Sequence, residues 1–224
     1  MKKVFTGKTK DVYLLDDGNY RLVFKDDMTG TDGVFDPGAN TVGLTVEGAG
    51  MAGLAMSVYY FKLLEDKGIA TQFISSEENT MTVKPIIKFG GGLEVICRYT
   101  ATGSFIRRYG EYVNEGAPLD AVIEMTLKDD ERGDPLINED ALIAIGILKP
   151  GEYDEIKTFM KTACNVIKTD IEARGLKLCD IKLEFARDTG GDLILIDEVS
   201  GGNMRVKDGD ETLDPLDLSK RVIG

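Results

Sequence analysis

The chain has 224 residues, 42% of them apolar and 29% charged, enough for one large domain or two small ones around a substantial core. Its net charge of −12 argues against nucleic acid as a partner, because phosphate backbones demand a basic footprint, yet it leaves room for a small phosphorylated ligand in a local basic pocket. The absence of histidine removes Ser-His-Asp triads, Cys-His pairs and imidazole metal sites together.

Chemistry must therefore run on carboxylates, lysines, arginines, hydroxyls and bound cations, and oxygen-only ligation favours Mg²⁺ over zinc. From the N-terminus, Lys2 and Lys3 are not followed by the apolar region of a signal peptide. The longest apolar stretch, 141–148, is interrupted by Gly146 and falls short of the roughly 18–20 residues that span a bilayer. A cytoplasmic location without membrane contact is the expectation.

Residues 1–90 read as short strands joined by turns. Segments 11–15 and 20–25 flank Asp16-Asp17-Gly18-Asn19, a hairpin signal. A loop rich in Gly, Asp and Thr is expected over 26–50. A helix follows, with Met51, Leu54, Val58, Phe61 and Leu64 on one face and Gly68 as its stop. Segments 73–75 and 81–88 read as two more strands. The run Phe89-Gly90-Gly91-Gly92 reads as a linker and divides a domain of residues 1–90 from one of residues 91–224.

Past that linker, 93–99 reads as a strand, Ser104 as the cap of a short helix ending at Gly110, and 121–128 as another strand. The clearest helix is 152–174, where Ile156, Phe159, Met160, Ala163, Ile167 and Ile171 form a stripe and Gly175 is the stop. Segments 178–187 and 192–199 make a hairpin around Asp188-Thr189-Gly190-Gly191. Strands outnumber helices and hairpins recur, so the class is α+β rather than a doubly wound sheet. Cys97, Cys164 and Cys179 sit among apolar neighbours with no metal-like spacing and read as reduced core thiols.

Strict alternation puts Asp180, Lys182 and Glu184 on one face of their strand and Ile181, Leu183 and Phe185 on the other. A four-residue loop over 188–191 would pair Arg187 with Asp192, set Lys182 opposite Asp197 and bring Asp197 onto the polar face near Glu184. Two carboxylates so placed can share a divalent cation. A solvated face with a cross-strand salt bridge is the competing reading, and a loop one residue shorter would send Asp197 to the other side.

Gly7-Lys8-Thr9-Lys10 lacks the Walker spacing, so no P-loop is present, but a glycine with two lysines at a strand entrance can lie along a polyphosphate. An ordinary basic terminus explains it equally simply. Lys25-Asp26-Asp27 and Lys128-Asp129-Asp130 repeat one pattern at strand ends, singly the mark of surface turns. Arg98, ending a strand before Gly103 and Ser104, reads either as a grip for phosphate or carboxylate, or as a surface arginine beside a helix cap.

Taken in order, Gly7 to Tyr13, Phe24 to Asp27, Leu93 to Arg98 with Gly103-Ser104, Lys128 to Asp130 with Asp134-Pro135, Asp180 to Phe185, and Asp197-Glu198-Val199-Ser200 with Arg205 resemble the SAICAR synthetase family. The resemblance spans nearly the whole chain. It implies an N-terminal antiparallel sheet domain and a larger α/β domain that clasp ATP in a kinase-like arrangement. Lys8, Lys10, Lys84 and Lys128 would line the nucleotide phosphates, and Glu184 and Asp197 would hold Mg²⁺ on them. Arg98, Ser104 and Arg205 would grip the ribotide phosphate. Asp180, Lys182 and Asp130, with Asp134, would border the imidazole carboxylate or the incoming L-aspartate and serve its chemistry.

The implied reaction is carboxylate activation: ATP phosphorylates the ribotide carboxylate, the aspartate amine attacks the acyl phosphate, and phosphate leaves. Protein groups would supply alignment and charge neutralisation, and a carboxylate or the leaving phosphate would take the amine proton. Two stretches depart from the family pattern. After Lys25-Asp26-Asp27 the chain runs Met28-Thr29-Gly30-Thr31 and later Thr45-Val46-Glu47-Gly48, and Ser200 is followed by Gly201-Gly202 where the family has Pro-Asp. A paralogous ligase with another acceptor, a small-molecule kinase, and a non-catalytic nucleotide-binding module are the rival readings. A protein kinase is disfavoured, with no His-Arg-Asp or Asp-Phe-Gly sequence. The sequence admits a homodimer without fixing one.

Overall fold

In the computed structural model, which describes residues 1–38 and 41–224, and only the backbone at Thr31, the chain divides into two compact units. The first comprises 1–87, 186–203 and 213–224, and the second 88–185 and 204–212. The break after residue 87 lies three residues before the end of the expected 1–90 segment, and the chain later returns to the first unit twice.

The first unit begins with β1 (Lys2–Thr6), β2 (Lys10–Leu14), β3 (Tyr20–Phe24), β4 (Asp27–Thr31), β5 (Val34–Phe35), β6 (Val42–Thr45), α1 (Ala49–Asp66), β7 (Phe73–Glu77) and β8 (Thr80–Val83). Its main sheet is antiparallel in the order β1-β2-β3-β8-β7. The expected hairpin forms, with Leu14 opposite Tyr20 and Gly18 at φ +88°, a conformation that glycine adopts without a Cβ penalty. The expected loop over 26–50 is corrected: β4 pairs with both β5 and β6 in a small antiparallel sheet, and α1 already starts at Ala49. Residues 39 and 40 of that segment lie outside the described residues.

Helix α1 buries Leu54, Met56, Tyr60, Phe61 and Leu64, while Met51, expected inside, is half exposed at 50%. The buried arc is wider than the expected stripe because α1 packs both on strands β3, β4 and β7 and on the last helix of the chain. Its first turn is capped from a distance: the Gly50 N–H donates to Asp26 Oδ1 at 2.9 Å. The expected strand 81–88 is two strands, β8 and β9 (Ile86–Lys88), divided at Pro85, which has no N–H to give a ladder.

The second unit carries β10 (Leu93–Thr100), α2 (Ser104–Tyr109), β11 (Pro118–Leu127), α3 (Glu139–Ala144), α4 (Glu152–Ala173) and the first part of β12 (Lys177–Asp188). The chain then passes through β13 (Leu193–Ile196) in the first unit, β14 (Met204–Asp208) and β15 (Glu211–Thr212) in the second, and α5 (Pro215–Ile223) in the first. The second unit's sheet runs β11-β10-β12-β14-β15, all antiparallel. One face of this sheet is apolar (Val95, Cys97, Met125, Ile181, Leu183, Phe185). α4 packs on β10 and closes the core with Ile156, Met160, Ala163, Cys164, Ile167 and Ile171. The three cysteines are buried free thiols. The α+β class is as expected.

Helices α3 and α5 have no counterpart in the sequence reading, although their caps are legible. Asn138 accepts from the Ala141 N–H, and Asp214, followed by Pro215, accepts from Leu216 and Asp217. Ser104, expected as a helix cap, is corrected to first residue of α2. Gly103 holds the cap position, and no side chain caps that end. The hairpin after β12 is also one residue tighter than expected: Asp188 N–H donates to Asp192 C=O at 2.9 Å, so Asp188 rather than Arg187 faces Asp192. The inference that set Lys182 opposite Asp197 falls with that register. β13 ends at Ile196, and Asp197 stands at φ +66°, so strand alternation no longer aims its side chain.

Ile167 is fully buried between α4 and the sheet. Ile167→Ala should lower unfolding free energy by about 2–5 kcal/mol. Urea denaturation checks this, with the midpoint shifted and the slope unchanged.

Candidate functional site: a charged sheet face and a lysine–carboxylate cluster

The face of the second unit's sheet opposite α4 is ionic, and register explains why. Glu94, Ile96 and Arg98 of β10 stand opposite Glu184, Lys182 and Asp180 of β12, and opposite Thr126, Glu124 and Val122 of β11. Asp180 in turn faces Arg205 of β14. Side chains of period two on adjacent strands therefore share one surface.

Two groups form on that surface. In the first, Arg98 Nη1 and Arg205 Nη1 each donate to Asp180 Oδ2 at 2.8 Å. Arg98 Nη2 donates to Ser104 Oγ at 2.8 Å and Arg98 Nε to Glu124 Oε2 at 2.7 Å. Arg98 is only 3% exposed, and all three of its nitrogens bond protein side chains. Burial raises Asp180 above the ordinary carboxylate pKa, against the pull of Arg205 and Arg98. The Arg205 guanidinium lies on Gly103, where an added Cβ would meet its Cζ at 2.8 Å.

In the second group, Lys182 Nζ donates to Glu94 Oε1 at 2.7 Å, and Thr126 Oγ1 donates to the other oxygen of that carboxylate. Lys128 pairs with Glu184. Burial alone would lower the pKa of Lys182, but the Glu94 carboxylate, helped by Glu184, outweighs it and the ammonium is raised above its ordinary value. Asp134 accepts from the Asp129 N–H at 2.8 Å. Its pKa is raised by burial and by the negative charge of Glu94. Asp130, exposed in the adjoining turn, adds to that charge, and Asp129 caps the turn.

The first unit contributes a separate cluster. Lys10, 7% exposed, places Nζ 3.0 Å from Glu198 Oε1, 3.3 Å from Asp197 Oδ1 and over the Phe24 ring. Gln72 Nε2 donates to the Asp197 carbonyl at 2.9 Å and so helps to hold its left-handed backbone. Lys84 Nζ donates to the Thr71 carbonyl at 3.0 Å, and Lys8 is half-buried in the turn between β1 and β2. Lys25 of the Lys-Asp-Asp pattern tethers that same turn, donating to the Gly7 carbonyl at 2.8 Å.

Of the residues singled out in the sequence, Arg98, Ser104, Asp180 and Arg205 come together, as do Lys182, Glu184 and Lys128, and in the first unit Lys10 and Asp197. Glu184 and Asp197 belong to different units. Three carboxylates with central positions were not singled out: Glu94, Glu124 and Glu198. Glu94 shares strand parity with Arg98, and Glu198 adjoins Asp197, so both carried a signal. Glu124 carried none without the β10–β11 register.

This α+β arrangement is that of solved SAICAR synthetases. One, in complex with ADP, matches with a TM-score of 0.87 at 30% identity, covering 99% of this chain and 98% of that one. A phosphoribosylaminoimidazole-succinocarboxamide synthase from Clostridium tetani is 56% identical over 226 aligned residues, covering 100% of both chains. Another, from Finegoldia magna, is 36% identical over 100% of this chain and 94% of its own. The family model described as SAICAR synthetase matches residues 3–222. The chain belongs to the SAICAR synthetase family.

Gly103 sits at φ 54°, ψ −129°, which L side chains rarely adopt, with Arg205 against it. Gly103→Ala should cost about 1–3 kcal/mol through backbone strain alone. Chemical denaturation measures it, and a shift indistinguishable from zero would show that Arg205 and the loop relax freely.

Proposed function

We propose that the chain is an ATP-dependent ligase of purine biosynthesis. It joins L-aspartate to the carboxylate of carboxyaminoimidazole ribotide through an acyl phosphate, and releases SAICAR, ADP and phosphate. The observation that carries this reading is the full-length 56% identity to a phosphoribosylaminoimidazole-succinocarboxamide synthase. The ionic face supplies the chemistry such a reaction needs.

Arg205 and Ser104 present a guanidinium and a hydroxyl at one end of that face, and these bind the ribotide phosphate, with Arg98 completing the charge behind them. Lys182, kept cationic by Glu94, neutralises the carboxylate as it becomes an acyl phosphate, and Asp180, Asp130 and Asp134 border the reacting groups. Lys8, Lys10 and Lys84 in the first unit and Lys128 in the second are the lysines assigned to the nucleotide phosphates, and a related solved structure holding ADP supports the choice of ATP.

Glu184 in the second unit and Asp197 in the first are each oxygen donors of the type Mg²⁺ takes, paired with Lys128 and with Lys10, although no cluster of three such donors forms among the described residues. When bound, the ion supplies charge neutralisation on the phosphates. The buried free cysteines suit a reducing cytoplasm.

Monitoring ADP release with ribotide and aspartate supplied separately and together tests the reading. Release should require both, and the product mass should equal ribotide plus aspartate less water. ADP formed with ribotide alone, beside a stable phosphorylated product, would make the chain a kinase.

A second outcome concerns the phosphate grip. Arg205→Lys keeps the charge but loses the planar fork, so ribotide affinity should fall by about 30- to 150-fold, on the order of 2–3 kcal/mol. ATP affinity should stay within about twofold. Calorimetric titration of both ligands decides it, and equal weakening of both would remove Arg205 from the ribotide site.

A further inference from the structure

Glu124 has no part in the chemistry described so far, yet it occupies a decisive position. Its side chain is 9% exposed on β11 and accepts from Arg98 Nε at 2.7 Å. The same carboxylate accepts from Arg108 Nη2 at 2.6 and 2.7 Å. Arg98 spends its remaining nitrogens on Asp180 and Ser104. The guanidinium is planar, so three partners on three nitrogens fix both its position and the tilt of its plane. Without Glu124, only the two terminal nitrogens are held, and the plane can hinge about the line that joins them.

That orientation matters through Ser104. Its oxygen accepts from Arg98 Nη2, so its own proton is left to donate elsewhere. Arg98 also shares Asp180 Oδ2 with Arg205, which makes the position of Arg205 sensitive to that of Arg98. We propose that Glu124 is a positioning residue for the ribotide phosphate: acting through Arg98, it fixes the Ser104 hydroxyl as a donor and holds the Arg98–Asp180–Arg205 frame in register. This rests on the ligase reading above.

Charge and geometry predict opposite signs, which makes the idea testable. A carboxylate near a phosphate repels it, so removing the Glu124 charge would tighten ribotide binding if charge were all that mattered. Loss of positioning loosens it. The informative pair is Glu124→Ala, which removes the Nε acceptor, and Glu124→Gln, which removes the charge but retains one acceptor.

The expected result is a ribotide KM raised about tenfold or more in Glu124→Ala and by a smaller factor, roughly threefold, in Glu124→Gln. The KM for ATP should be unchanged in both. Ribotide KM at or below the wild-type value in both variants overturns the proposal, whatever happens to the melting temperature. If Glu124→Ala does not fold by circular dichroism, Glu124→Gln alone decides: a raised ribotide KM with normal ATP KM supports positioning, and an unchanged or lowered one overturns it. Wild-type protein that forms no ligated product overturns the ligase reading first, and this inference with it, a result distinct from normal wild-type turnover with insensitive variants.

Discussion

A single carboxylate oxygen, Asp180 Oδ2, takes a hydrogen bond from each of two guanidinium groups. Asp180 is 3% exposed, and a buried charge of that kind survives only when paired and hydrogen-bonded. Glu124 and Arg108 join the same network, so three arginines face two carboxylates and one positive charge is left over, which is what an anionic ligand requires. Arg98 is the buried member and Arg205 the more exposed one, with side chains 4% and 18% accessible. The pair is therefore unequal: the Arg98 guanidinium is enclosed by protein, and that of Arg205 lies nearer the solvent.

The ionic face depends on the apolar one behind it. Asp180, Lys182 and Glu184 share β12 with Ile181, Leu183 and Phe185, which are nearly fully buried. A one-residue slip would drive three charged groups into the core under α4 and expose three large apolar side chains. Each of the latter is worth roughly 1.5–3 kcal/mol when buried, so packing on one side pins the register of the chemistry on the other. Glycines refine the placement where side chains would obstruct. Gly103 admits the Arg205 guanidinium, and Gly50 admits the Lys25 backbone, whose carbonyl oxygen would lie 2.8 Å from an added Cβ.

Legibility in the sequence follows from how local each feature is. The 16–19 hairpin, the α4 stripe and the polar face of β12 need only turn chemistry and periodicity, and all three form. The β4–β6 sheet was read as loop because its strands are short and rich in Gly, Thr and Asp, with no alternation to betray them. What holds it is partly side chain on backbone: Thr29 Oγ1 donates to the Asp36 carbonyl and Thr41 Oγ1 to that of Gly30. Glycine at 30 and 43 permits a close approach, since a Cβ at 43 would meet Gly30 at 2.4 Å. This is the segment where the sequence departs from the family pattern, and the departure is compatible with ordered strands. In the site, Arg98, Ser104 and Arg205 could be grouped from ordered motifs, whereas the place of Asp180 between the two arginines and that of Glu124 beside Arg98 depend on strand pairings that no single strand's periodicity contains. Asp197 was misplaced by one residue of loop length, the smallest register error there is.

The lack of histidine finally constrains where a proton can go in the proposed reaction. Lys182 donates to the Glu94 carboxylate, and its raised pKa keeps it protonated at neutral pH, so in that reaction it would stabilise charge and not take a proton. Lys10 is engaged by Glu198 and Asp197, and Lys128 by Glu184. Basicity is left to carboxylates and to the phosphate that departs. Among the carboxylates bordering this face, Asp134 is raised by burial and by Glu94, which makes it a better base than an ordinary aspartate. Asp180, also raised, directs the oxygen Oδ2 at two guanidinium groups and is thereby committed to holding them. Burial, with repulsion from Glu94 second to it, thus raises the proton-accepting capacity of Asp134, which stands beside the departing phosphate as a base for a histidine-free site.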